Sequence, residues 1–136
     1  MNQRLLGAIR ILLGVSWLYQ GLWLKLVATA PSHLAVVEAV GPVAGMSPST
    51  FLRVIGACET LLGLGVLSGI AARGLGWLQI VLVVAMNAVG IAAGGDSIAD
   101  PVGLVVTNLP FVACALVVAV HGAGAWSLGA RPTHGR

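Results

Sequence analysis

Residues 14–30 read GVSWLYQGLWLKLVATA, and the fold turns on how that stretch is taken. It is apolar enough to lie in lipid, yet it carries Gln20 and Lys25, and Arg10 stands just before it. A charge in the hydrocarbon core is costly, so ionisable groups in spanning helices face other helices or water rather than acyl chains. The stretch therefore predicts a transmembrane helix whose polar residues look inward, which requires partner helices. On a wheel of about 100° per residue, Gly7, Arg10, Gly14, Trp17, Gly21 and Lys25 fall within an arc of roughly 80°. Lipid gives no reason to gather glycine on one stripe. A neighbouring helix does, because small residues let backbones approach.

The rest of the chain agrees with that first helix. Of 136 residues, 58% are hydrophobic and only 8% are charged, and mean hydropathy is +1.01. A soluble domain is typically about a quarter charged, so this chain could not cover itself with a solvated surface. The fold class is an all-α integral membrane four-helix bundle. The net charge of +3 does not indicate a nucleic-acid partner, since the basic residues are scattered. Four stretches reach the roughly 20 apolar residues that a span needs: about 5–28, 51–72, 74–93 and 101–121. They form a single domain, with an outer loop over 29–50 and a tail over 122–136, of which GARPTHGR (129–136) is expected to be mobile. HLAVVEAV (33–40) inside that loop predicts a short interfacial helix. AARGLG (71–76) predicts the tight turn between the second and third spans.

Arg4, Arg10, Arg73, Arg131 and Arg136 fall on one side of a four-span arrangement and no acid joins them. Lys25 and Arg53 fall on the other side with Glu38, Asp96 and Asp100. Excess Lys and Arg mark the cytoplasmic side, which predicts both termini inside. Trp23 then belongs at the outer interface, and Trp77 and Trp126 at the inner one.

The candidate site comes from the polar residues inside the spans. Glu59 shares a face with Gly56 and Gly63, Asn87 with Gly76 and Gly94, and Asn108 with Ala115, Ala119 and Gly122. Counting about 1.5 Å per residue from the outer ends puts Lys25, Gln20, Glu59, Asn87 and Asn108 all within roughly 12 Å of that surface. These five are the expected ligand-binding residues of an outward polar pocket, in which Lys25 reaches toward Glu59. Arg10 lies near the opposite boundary and is expected to be a structural anchor or a headgroup contact. Cys58 and Cys114 read as small packed residues rather than a redox pair. His33 lies outside and His121 and His134 inside, so no metal site is expected. No catalytic motif occurs.

The run RILLGVSWLYQGLWLKL (10–26), then VIGACETLLGLGVLSG (54–69), then DPVGLVVTNLPFV (100–112) resembles the DoxX-like family of small four-helix membrane proteins, over about residues 4–120. The resemblance implies a bundle in a prokaryotic cytoplasmic membrane, associated with a respiratory or redox complex. It directs attention to Lys25, Glu59 and Asn108. The expected function is an accessory or scaffold subunit, more so than an enzyme acting alone, whose pocket holds lipid or a quinone. Its expected partners are membrane lipid and other membrane subunits or further copies of itself. No cofactor ligand is visible, quinone being the one cofactor the pocket would suit. Two alternatives stand beside this: a quinone-linked oxidoreductase subunit using Glu59 and Lys25, and a small oligomeric transporter.

Overall fold

The computed structural model describes residues 1–128. The stretch GARPTHGR (129–136), with Arg131, His134 and Arg136, lies outside the described residues. Five helices follow one another: α1 Gln3–Leu18, α2 Pro31–Val40, α3 Pro48–Ser68, α4 Ala72–Gly94 and α5 Pro101–His121. Among the described residues there is no β-strand. Four helical segments are long and apolar enough to cross a membrane: Gln3–Val27, Pro48–Ser68, Ala72–Ser97 and Pro101–His121.

Local chemistry sets the helix ends. Asn2 caps α1, its side chain accepting from the Arg4 amide at 2.9 Å. Ser47 and Asp100 cap α3 and α5. Pro31, Pro48 and Pro101 stand at helix starts, where a missing N–H costs nothing. Gly69 ends α3 with φ 73°, a left-handed conformation that glycine adopts freely. The turn between α3 and α4 therefore falls at 69–71, not at the expected 71–76. Gly76 lies inside α4, where a Cβ would come within 2.6 Å of the Ala119 nitrogen. Its role is close packing against α5.

The first span is not a uniform α-helix. From Tyr19 to Val27 it widens into a π-helix, and the Ala28 amide still donates to the Trp23 carbonyl at 2.8 Å. Wide turns of this kind often mark functional positions. Here they keep Gly21 and Lys25 on the buried face.

Packing follows the small-residue stripes. α1 and its π-helical extension run along α3, and α4 runs along α5. α1 also meets α5, while α2 lies across α3 and α4. At the α1–α3 crossing, a Cβ on Gly21 would come within 2.7 Å of the Gly56 carbonyl oxygen, and one on Gly14 within 3.1 Å of the Gly63 oxygen. Larger side chains would hold these backbones apart. Leu6, Leu13, Trp17, Leu62, Val66, Ala115 and Val118 form the core. Leu12, Leu22, Leu61, Leu64, Val81 and Val106 are exposed. A water-soluble bundle would hide such residues, whereas a bilayer solvates them. Trp23, Trp77 and Trp126 are also exposed.

Candidate functional site

The buried polar side chains are few and deeply enclosed: Arg10 and Gln79 are 0% exposed, Glu59 4% and Lys25 5%. Each belongs to a specific cluster, since a buried polar group without a partner is costly.

Lys25 and Glu59 form the first cluster. The Lys25 ammonium donates to Glu59 Oε2 at 2.6 Å, an ion pair that joins the π-helical part of the first span to α3. The Lys25 Nζ also lies 3.5 Å from the Gln20 carbonyl oxygen. The Gln20 side chain is exposed, so only its backbone belongs to the cluster. The glycine contact of Gly21 with Gly56 brings the two backbones close enough for this short bond.

α2 adds a residue that the sequence reading set apart. His33 is half-buried on α2, and its Nδ1 is buried with no hydrogen-bond partner among the described residues. Burial, and then the charge of Lys25, lowers its pKa below the ordinary value of 6.5. The folded protein therefore binds a proton at His33 less readily than the unfolded chain does. The stability contribution of neutral His33 is whole above about pH 6.5 and is lost as pH falls from there through the lowered folded value. Melting in detergent should accordingly show a fall in Tm on acidification through that window, and His33→Gln should flatten it. An unchanged slope in the variant would assign the fall to other groups.

Asn87 and Asn108 form the second cluster. The Asn108 amide donates to Asn87 Oδ1 at 3.0 Å, bridging α5 and α4. Both residues are half-buried. They pair with each other, and neither has a hydrogen bond to Lys25 or Glu59. The five expected ligand residues thus divide into an ion pair, an amide pair and the outward Gln20.

The third cluster was missed from the sequence. Trp17 Nε1 donates to Gln79 Oε1 at 3.0 Å, and Gln79 Nε2 donates to the Leu75 carbonyl at 3.1 Å. Trp17 also meets Phe111 edge-on, with ring centroids 5.6 Å apart. This bond ties α1 to α4 in the centre of the bundle. Gln79 lies three residues after Gly76, so the glycine-stripe rule used for Asn87 would have found it.

Of the two expectations for Arg10, the headgroup contact is corrected. Its side chain does not reach headgroups, for it is fully buried. Nε donates to the Ala123 carbonyl at 2.9 Å. One terminal nitrogen donates to Val66 at 2.8 Å and to Leu67. The other donates to Ala125 at 3.2 Å and Trp126 at 2.8 Å. A guanidinium has five N–H donors, and these five carbonyls match them. Val66 and Leu67 lie in the last turn of α3, where the helix dipole favours a cation; the Val66 carbonyl also accepts from the Gly69 amide at 3.2 Å. Residues 123–126 are the non-helical segment after α5, turned by Gly122 (φ 91°), Gly124 (φ 68°) and Trp126 (φ 58°). Arg10 is the mould on which that segment sets.

Of the two cysteines only Cys58 differs from expectation, for Cys114 packs against the core. Cys58 is exposed and Cys114 half-buried. Glu59 takes the inward position on α3, which turns its neighbour Cys58 outward. Among the described residues no group of His, Cys, Asp and Glu is placed to hold a metal ion. Open clefts among the described residues include two that bear on the site. One, of about 230 Å³, lies between α1 and α5 beside Ser16, Pro110, Phe111 and Cys114. The other, of about 560 Å³, lies at the end of the bundle where the α3–α4 turn meets the end of α5. None of the five expected ligand residues lines either cleft.

The family model of the DoxX-like family matches residues 14–116. The match covers most of the chain, including the Lys25–Glu59 and Asn87–Asn108 pairs, and the protein belongs to the DoxX-like family. No curated protein and no solved structure matches it.

Proposed function

We propose that this DoxX-like membrane protein is an accessory or scaffold subunit of a larger assembly in a prokaryotic cytoplasmic membrane, with both termini inside. The observation that carries this reading is the uneven covering of the four spans. The most apolar windows of the first two are 39% and 33% buried, against 17% for each of the last two. α4 and α5 hold each other by the asparagine bond and leave a broad apolar face open. Lipid can cover such a face, but so can the helices of a partner, which in lipid gain from close packing rather than from hydrophobicity. The partner is a larger membrane subunit, respiratory or redox in character, or further copies of the chain.

Within this reading the outer end receives a lipid headgroup or a quinone at Lys25 and Glu59 when α2 moves aside. The unpartnered Nδ1 of His33 supports a polar guest there. Extraction in a mild detergent at native expression level tests the assembly: a second polypeptide, or a multiple of the chain's own 13.8 kDa mass, should co-elute. Val106→Trp on the open face, where Val106 is 56% exposed, should weaken that association without unfolding the bundle. A chain that runs alone at every expression level contradicts the reading. The catalytic alternative is separated by Glu59→Gln, which should abolish quinone reduction if Glu59 is a proton acceptor.

A further inference from the structure

We propose that the wider cleft, at the end of the bundle where α1 begins and α5 ends, binds a phosphate-bearing ligand, with Arg73 as its principal contact. The inference does not depend on the accessory reading. Three helices supply the cleft's polar side chains: Gln3 from α1, Arg73 from α4 and His121 from α5, with Ser127 beyond. Arg73 is exposed, and its Nε lies 3.8 Å from where a Cβ on Gly122 would stand. It therefore reaches from the start of α4 toward the end of α5, across the cleft.

The charge around the cleft has one sign. The sequence has four carboxylate side chains. Glu38 is on α2, Asp96 and Asp100 lie between α4 and α5, and Glu59 is paired with Lys25. None lines the cleft, and no ion pair among the described residues engages Arg73. Arg4, in the first turn of α1, adds a further cation to the same end.

Among anions, phosphate fits best. A guanidinium presents a planar fork that matches phosphate oxygens two at a time, and such charge-assisted bonds are stronger than neutral ones. Gly74 leaves open space where a side chain would otherwise stand. Ala72, Arg73 and Gly74 also begin α4 without a side-chain cap, which leaves first-turn amides for the same guest. A volume of about 560 Å³ exceeds what inorganic phosphate alone needs. Ile70, on the cleft wall, is 57% exposed, and Leu128 nearby is 82% exposed. A guest with a phosphate head and an apolar remainder suits both features. An anionic phospholipid of the adjoining leaflet has that chemistry, and so has a soluble phosphate ester in its head alone.

The test uses the full chain in detergent, with phosphatidylglycerol, phosphatidylcholine and inorganic phosphate as probes, read by native mass spectrometry and by Tm. Wild type should retain phosphatidylglycerol in preference to phosphatidylcholine. Arg73→Gln should weaken that retention about tenfold, the loss of one charge-assisted contact. Arg73→Lys, which keeps the charge but not the fork, should fall between, and its wild-type elution would show that the site variants fold. If inorganic phosphate leaves bound phosphatidylglycerol in place, the guest is a lipid headgroup. If millimolar phosphate raises Tm by itself and displaces the lipid, the guest is a soluble phosphate ester. Equal retention of both lipids by wild type together with no phosphate effect, or retention unchanged in Arg73→Gln, would overturn the proposal.

Discussion

Arg10→Met should prevent the protein from accumulating as a folded bundle. The methionine fills much of the same space but donates nothing: the carbonyls of Leu67, Ala123, Ala125 and Trp126 lose their donor together, while Val66 keeps the bond from the Gly69 amide at 3.2 Å. A buried acceptor left unsatisfied costs about 1–3 kcal/mol. Even the low end, summed over this set, approaches the roughly 5–15 kcal/mol that holds a typical domain together. Segment 123–126 should detach before the helices separate. The Ala125–Gln3 backbone bond of 2.8 Å would go with it, freeing the start of α1. Arg10→Lys should recover only part of the stability, because three donors on one nitrogen cannot serve carbonyls spread around a planar fork. Thermal melting of the purified variants, with protease sensitivity after residue 121, checks both statements. An Arg10→Met protein as stable as wild type would show that those carbonyls have other partners.

Glu59→Leu should destabilise the bundle by about 3–5 kcal/mol, because it leaves an ammonium buried without its counter-ion. Lys25 could relieve this by extending its stem toward the headgroup level. Its Cβ stays at the tight α1–α3 crossing, 2.8 Å from the position of a Cβ on Gly56, so only the outer stem can turn and the relief is partial. The double variant Lys25→Met, Glu59→Leu should recover most of the loss, since a well-packed apolar pair replaces a buried ion pair at little cost. The cycle therefore separates the penalty of an orphaned charge from the value of the pair. Denaturation in detergent for all four proteins gives the coupling energy. Additive single effects would mean that the two side chains do not interact in the membrane.

How much of this was legible beforehand differs by element. The inward stripe of the first span was, because glycines and cations recur at helical spacing and lipid punishes both charge and wasted packing. All six of its residues are buried. Glu59 was legible for the same reason, and its lysine partner followed from reach. The fold-back of α2 was not. Its sequence shows only a short apolar helix, and what brings His33 beside the charge of Lys25 is the path of the flanking turns, with Thr29 at φ 46° and Gly41 at φ 85°. The π-helical widening at Tyr19–Val27 leaves no residue pattern distinct from an α-helix. The role of Arg10 was hidden because its partners are backbone carbonyls, which carry no sequence signature. The asparagines were placed correctly on inward faces, but a wheel cannot say which neighbouring helix a face will meet. They found each other rather than the ion pair.

Everything assigned to the ion pair depends on Lys25 and Glu59 touching each other inside the bundle. Solid-state NMR on protein labelled at lysine nitrogen and glutamate carboxyl carbon, in lipid bilayers, reads that contact directly. Strong dipolar transfer from Lys25 Nζ to the Glu59 carboxyl carbon is the expected result, given the 2.6 Å nitrogen-to-oxygen separation. No transfer, with Lys25 open to a water-soluble acylating reagent, would contradict the account.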